Sequence, residues 1–109
     1  MSALALPDPI NRFVEAVNRG DNESFLDFFP RDGLVEDSGR RFVGHDAIRR
    51  WSDAEFIGAK GHMTVTSVEQ KENVVNVTAD WASNYFSGPS RFVFVLKDKK
   101  IAEMRITSE

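Results

Sequence analysis

Cysteine is absent from this sequence, and tyrosine occurs only once in its 109 residues. Without a thiol, the chain can form neither a disulfide framework nor a thiolate metal site, and it has no thiol nucleophile. The formal net charge is −3, and basic residues are scattered among acidic ones, so no cationic face is available to a phosphate backbone. We therefore expect no nucleic-acid partner.

Long apolar runs are also missing. No stretch approaches the ~20 apolar residues that a membrane-spanning helix needs, so we expect no membrane partner. Residues 1–8 have no basic segment and only a short apolar run before Pro7, which does not resemble a secretory signal. The predicted location is cytoplasmic.

Recognisable metal and nucleophile motifs are absent too. The two histidines, His45 and His62, lie far apart in the sequence, and no His-x-x-x-His or clustered carboxylate pattern accompanies them. No Gly-x-Ser-x-Gly segment occurs. The sequence thus predicts no metal and no cofactor.

Phenylalanine is the residue type in excess, with nine copies beside two tryptophans. Large aromatic side chains fill a core, and they also suit a pocket for a small apolar or aromatic ligand. The length and even composition predict one domain over residues 1–109, large enough for one core.

Apolar spacing predicts three helices: a capped helix from Asp8-Pro9 to Gly20, one from Asp21 to Pro30, and one from His45 or Asp46 to about Phe56. Between the last two, a short hairpin is expected. Alternation predicts four later strands: Met63–Gln70, Val74–Phe86, Arg91–Lys97 and Ile101–Thr107. Helices first and strands last indicate an α+β fold with helices on one sheet face.

Strand parity predicts which side chains face the helices. In the last strand we expect Ala102, Met104 and Ile106 to point inward, with Glu103 and Arg105 on the outer face. Before that strand, Lys99 stands where a tight turn favours glycine, so we expect a longer turn or a strained lysine.

Six segments, in this order and spacing, resemble the SnoaL-like branch of the nuclear-transport-factor-2-like (NTF2-like) superfamily: Ile10–Asp21, Phe28-Phe29, Val35–Asp37, Phe42–Gly44, Ala47-Ile48 and Lys100–Arg105. The resemblance implies a cone in which a curved, mostly antiparallel sheet is cupped by three N-terminal helices. It also implies an apolar pocket at the open end and a homodimer through the outer sheet face. The superfamily includes isomerases, cyclases, hydrolases, dehydratases and non-catalytic binding or assembly modules, so fold alone does not decide function.

Ketosteroid isomerase is the catalytic member to which the layout is most similar. Asp37 matches its proton-abstracting carboxylate, whereas Phe13 and Phe92 stand near the positions of its tyrosine and protonated aspartate. Because those two donors stabilise the enolate, the resemblance disfavours steroid isomerisation. It leaves room for a substrate that delocalises its own charge, or for another donor such as His62, Trp81 or Tyr85.

Two readings of Asp37 stay open at this point. It is either a general base at the pocket mouth or a turn residue that accepts backbone N–H bonds before Gly39. Glu36 is the competing carboxylate, because neighbours on a strand face opposite ways. Among the histidines, His62 is favoured over His45 as a catalytic group.

The predicted catalytic residues are therefore Asp37 and His62, in an isomerase, cyclase or hydratase. A non-catalytic binding or dimeric assembly module is the alternative, in which the aromatic interior is filled core. If the family register holds, the ligand contacts are Phe13, Trp51, Phe56, Trp81, Phe92, Phe94 and Met104.

Overall fold

Three helices and a short hairpin precede four long strands along the chain. The computed structural model describes residues 6–108, so the prediction about a leader at residues 1–8 falls mostly outside the described part. The helices are α1 (Asp8–Arg19), α2 (Asn22–Asp27) and α3 (His45–Glu55). The strands are β1 (Leu34–Asp37), β2 (Arg40–Val43), β3 (His62–Lys71), β4 (Val74–Ala82), β5 (Gly88–Lys97) and β6 (Lys100–Ser108).

The first two helices are joined by a sharp break. Gly20 ends α1 with a φ of 74°, in the left-handed region that glycine tolerates, and Asp21 caps α2 by accepting the Ser24 amide. At the other end of α1, Asp8 was expected to cap the helix. It is instead the first helical residue and forms an ion pair with Arg12, one turn later.

The strands form one open sheet in the order β2-β1-β6-β5-β4-β3. Every pairing is antiparallel except that of β1 with β6, which is parallel. The chain forms β1 early and returns beside it as β6, and buried residues of all three helices share one core with the sheet. This arrangement confirms the predicted α+β class and the mostly antiparallel sheet.

The predicted strand Val74–Phe86 was too long. The strand ends at Ala82, because the Ser83 hydroxyl accepts the amides of Tyr85 and Phe86 and donates to the Phe86 carbonyl. These local bonds compete with strand pairing and close a turn. The next strand begins three residues earlier than predicted, at Gly88.

The inward position predicted for Ala102 was also wrong. The β5–β6 register pairs Val95 with Glu103 but Leu96 with Ile101, so Ala102 is an extra residue at a bulge. Ile101 and Met104 are fully buried on either side of it. In the turn before β6, Asp98 and Lys99 have φ values of 53° and 66°, which confirms the expected strained lysine.

The centre of the core is a phenylalanine cluster, defined as Phe13, Phe25, Phe28, Phe29 and Phe94. Phe13 lies at its middle, with ring centroids 5.3 to 6.1 Å from the other four. Most of these contacts are edge-to-face, the arrangement that aromatic quadrupoles favour. The cluster fixes α1 and α2 on the inner face of the sheet. No helix among residues 6–108 is long and apolar enough to cross a membrane.

Candidate functional site

A cavity of about 320 Å³ lies next to the phenylalanine cluster, between the sheet, α3 and the β4–β5 connection. Its volume falls within the range typical of small-molecule sites. The residues that line it are Asp37, Ser38, Arg40, Trp51, Glu55, Phe56, Trp81, Tyr85, Phe86, Ser90, Phe92, Ile106 and Thr107.

The core and the cavity are formed by two adjacent rows of inward-facing side chains on the sheet. Val35, Met104 and Phe94 are aligned across β1, β6 and β5, and all three are fully buried. The next inward-facing row, two residues along each strand, is Asp37, Ile106 and Phe92, and all three line the cavity. Strand pairing therefore delivers a carboxylate to the cavity wall.

One wall of the cavity is a continuous aromatic stack. Trp51 stacks on Phe56 at 4.7 Å between centroids, and Phe56 stacks on Trp81 at 4.5 Å with only 10° between the rings. Gly61 lies directly behind Trp81, where a Cβ would overlap the indole ring. The stack joins α3 to β4 and gives the cavity rigid, flat sides.

The polar end of the cavity is a charged cluster, defined as Asp37, Arg40 and Glu55. Arg40 donates to Asp37 Oδ2 over 3.2 Å and to both Glu55 oxygens, one at 3.0 Å. The Trp51 indole N–H also donates to Asp37 Oδ2, over 3.1 Å. Among the described residues, no hydrogen bond reaches Oδ1 of Asp37.

The hairpin turn explains why Asp37 and Arg40 meet. Ser38 and Gly39 have φ values of 53° and 86°, as in a two-residue type I′ turn. The residues that flank such a turn are direct cross-strand partners, so their side chains share a face. Glu55 reaches them from the last turn of α3.

Pairing shifts the titration of two members of the cluster. The pKa of Glu55 is lowered, chiefly by the hydrogen bonds that Arg40 donates to it. Burial acts in the opposite direction and raises this pKa, whereas the charge of Arg40 and a hydrogen bond with Tyr85 lower it further. The pKa of Arg40 is raised, chiefly by the same bonds to Glu55. Glu55 is therefore a carboxylate and Arg40 a guanidinium at neutral pH.

The rim of the cavity is formed by the connection between β4 and β5. Tyr85 and Phe86 are exposed there, 60% and 44%, although both line the cavity. Ser90, at the start of β5, is buried and supplies a hydroxyl on the cavity wall. The rim thus offers aromatic surface with a few hydroxyl groups.

Five of the residues predicted for the site lie together in the cavity wall: Asp37, Trp51, Phe56, Trp81 and Phe92. The others lie elsewhere. Phe13, Phe94 and Met104 are fully buried in the core. The register places Phe94 and Met104 one row away from the cavity, and Phe13 lies on α1 at the middle of the phenylalanine cluster. His62 is exposed at the first position of β3, outside the cavity lining.

The remaining candidates also have defined positions. Glu36 faces the outer side of the sheet and pairs with Arg105 at 3.5 Å, so Asp37 is the β1 carboxylate on the cavity side. His45 is hydrogen-bonded through Nε2 to the Phe29 carbonyl oxygen at 2.9 Å and holds α3 against the end of α2.

Sequence reasoning missed Arg40 and Glu55. The signal for Arg40 was the Ser38-Gly39 pair, because a two-residue turn makes Arg40 the cross-strand partner of Asp37. The signal for Glu55 was helical spacing, since it lies four residues after Trp51 on the same helix face. Among residues 6–108, no group of three or more metal-ligating side chains occurs.

The family model for the SnoaL-like domain matches residues 10–104, so the chain belongs to the SnoaL-like family. Its fold is that of the NTF2-like superfamily, with the ketosteroid-isomerase-like layout. Among curated proteins, none matches the sequence.

Solved structures with this fold include several bacterial proteins. One, from Sinorhizobium meliloti and described as a candidate polyketide cyclase, is 26% identical over 98% of this chain and 100% of its own, with a TM-score of 0.88. SalBIII, an epoxide hydrolase/cyclase-like enzyme in pyran-ring formation in salinomycin, is 19% identical over 91% of this chain and 86% of its own (TM-score 0.82). A Catenulispora acidiphila protein in complex with trimethylamine is 17% identical over 96% and 88% (TM-score 0.82). At these identities the last two show the fold alone.

Proposed function

We propose that this chain binds a small, largely apolar or aromatic molecule in the cavity and transfers a proton of that molecule through Asp37. The reaction class is isomerisation, ring closure or hydration. The description of the S. meliloti protein as a polyketide cyclase favours the same class.

The observation that supports this proposal is the geometry of the Asp37 carboxylate. Oδ2 is fixed by the Trp51 indole and by Arg40, which orients the group. Oδ1 keeps its lone pairs, and Asp37 lines the cavity. A carboxylate that is fixed at one oxygen and open at the other is suited to general-base catalysis.

The surroundings restrict the substrates for such a base. Phe13 and Phe92 occupy the positions where the resemblance to ketosteroid isomerase implied donors to an enolate, and neither can donate a hydrogen bond. A suitable substrate therefore delocalises the negative charge itself, or takes over a hydroxyl donor of Tyr85 or Ser90, which line the cavity and otherwise bond to Glu55 and to the Gly88 carbonyl. His62 has no part in this proposal, because it lies outside the cavity lining.

The test uses 5-nitrobenzisoxazole, a flat aromatic probe whose ring opens when a base removes its C–H proton. Its product spreads the charge over a nitrophenolate, so no oxyanion hole is needed. We expect saturable ring opening by the protein and a loss of about 100-fold or more in Asp37→Asn. Glu36→Gln is the matched control, on the same strand but facing outward, and should retain the wild-type rate.

Two results would overturn the proton-transfer role. One is an Asp37→Asn variant as fast as wild type, and the other is ring opening no faster than with an equal concentration of acetate. Circular dichroism and the free energy of unfolding of Asp37→Asn show whether the variant keeps its fold.

A second candidate function is a non-catalytic binding or assembly module. Arg40 already neutralises Asp37 in part, as expected of a structural carboxylate. On the outer sheet face, Val93 and Val95 are only half-buried and lie beside Asn76 and Thr78, a mixed surface that suits a homodimer contact. The homodimer, the cytoplasmic location and the single domain over residues 1–109 stay predictions.

A further inference from the structure

The charges that face the cavity do not cancel. Asp37 and Glu55 contribute two negative charges, and Arg40 contributes one positive charge. No other Asp, Glu, Lys, Arg or His lines the cavity. The cavity wall therefore has a net charge of −1, at side chains that are only 19% and 17% exposed for Asp37 and Glu55. At such partly buried positions, solvent screens a ligand charge less than it does at the surface.

The single cation of the wall is already bound. Arg40 donates to both oxygens of Glu55 and to Asp37, and its guanidinium carbon lies 5.5 Å from the centre of the Phe42 ring. An anionic ligand would have to take these donors and then lie beside two uncompensated carboxylates. The arrangement therefore opposes anions.

The rest of the wall favours positive charge. Six of the lining residues are aromatic: Trp51, Phe56, Trp81, Tyr85, Phe86 and Phe92. Aromatic rings attract organic cations, and tryptophan does so most strongly. A primary ammonium is strongly hydrated and loses that hydration on entry, whereas an alkylated ammonium is weakly hydrated and also gains apolar contact.

We infer that the cavity selects small organic cations, namely tertiary or quaternary amines with hydrocarbon substituents, in preference to neutral or anionic molecules of the same shape. The ammonium lies against Oδ1 of Asp37, with its substituents on the Trp51–Phe56–Trp81 stack. This inference rests on the same cavity as the proposed function and names the ligand class for it.

The test compares three probes of one shape: choline, 3,3-dimethylbutan-1-ol and 3,3-dimethylbutanoate, which carry charges of +1, 0 and −1. The only two tryptophans, Trp51 and Trp81, both line the cavity. Their indole N–H signals in ¹⁵N-labelled protein therefore report on its occupancy. We expect saturable shifts with choline, a dissociation constant at least about 10-fold larger for the alcohol, and no saturation with the butanoate.

Three variants locate the origin of the preference. Glu55→Gln and Asp37→Asn should each weaken choline binding about 3- to 10-fold without weakening binding of the alcohol. Arg40→Gln should strengthen choline binding, because the wall then has a net charge of −2. Glu23→Gln, on the exposed face of α2, is the matched control and should change neither.

Equal affinity for choline and the alcohol, or no indole shift with either, would overturn the inference, as would a choline preference that survives in both carboxylate variants. These results are independent of proton transfer. A protein that opens 5-nitrobenzisoxazole through Asp37 yet prefers the alcohol disproves the cation preference alone. One that prefers choline yet leaves the benzisoxazole intact disproves the proposed catalysis alone.

Discussion

The two ends of the inner sheet face use the same kinds of residue and differ in what covers them. At one end, Phe94 and Met104 are sealed beneath α1 and α2 by the phenylalanine cluster. At the other, Phe92 and Ile106 border a cavity of about 320 Å³, although they lie only two residues away on the same strands. Aromatic composition alone therefore does not distinguish a core from a binding site. The difference between the filled end and the cavity lies in how the helices cover them.

The polar groups differ between the two ends as well. The closed end has no ionised side chain in its buried row, whereas the open end receives Asp37 and Arg40 from a tight hairpin and Glu55 from α3. Charges of this kind are tolerated only where they pair and keep some contact with water. The hairpin and α3 thus bring charged side chains to the open end.

The largest effect is expected at the closed end. Phe13→Ala removes a fully buried ring that contacts four others, and it should lower the free energy of unfolding by about 4 kcal/mol. Phe86→Ala, the same change at the exposed rim, should cost less than about 1 kcal/mol. Urea denaturation of both variants measures this contrast, and equal losses would show that the two ends do not differ.

An intermediate effect is expected behind the aromatic stack. In Gly61→Ala, the new Cβ would overlap the Trp81 ring and lie 2.9 Å from the Phe56 carbonyl oxygen, so Trp81 must move into the cavity. We expect a loss of about 1 to 3 kcal/mol in unfolding free energy and weaker choline binding. His62→Ala, at the next residue but exposed, is the control. An unperturbed Trp81 indole signal in Gly61→Ala would contradict this packing.

The smallest effect is expected at the charged cluster. Glu55→Gln should lower the free energy of unfolding by about 1 kcal/mol at neutral pH, since the Arg40 pair is partly exposed. The folded-state pKa of Glu55 lies below its ordinary value of 4.5, so the pair stabilises the fold fully above that pH. Its contribution is lost as the pH falls through the lowered pKa.

The measurement for this prediction is urea denaturation of wild type and Glu55→Gln between neutral pH and pH 3. The difference between the two proteins should shrink as the pH falls. Glu23→Gln breaks a more exposed ion pair, with Arg49, and should have a smaller effect. A difference that is constant with pH would show that Glu55 acts through packing rather than through its charge.

Most of the fold could be predicted, because periodicity and turn residues are local signals. The three helices and the β1–β2 hairpin followed from apolar spacing and turn residues. The end of β4 did not, since the Ser83 hydroxyl closes a turn inside an apolar-looking run. The bulge at Ala102 depends on how β5 pairs with β6, and neither strand carries a sequence pattern that indicates it.

The cavity was predictable only in part, because its position depends on which inward-facing residues the helices cover. Parity places Phe92 and Phe94 on the same face and gives no sign of which one the helices cover. The charged cluster joins three elements, and its Arg40 member would have followed from the two-residue turn. The pairing with Glu55 required the position of α3 against the hairpin, which is a tertiary property.

We propose that the open end binds a small molecule, whereas the closed end is filled by side chains. Native mass spectrometry of the purified protein with choline, compared with its denatured mass, detects such binding and also counts subunits. We expect an adduct on wild type that is weaker on Ile106→Phe, which places a larger side chain in the cavity wall, and unchanged on His62→Ala, at an exposed residue outside the cavity lining. An equal adduct on Ile106→Phe, or none on wild type, would rule out binding of choline at the open end.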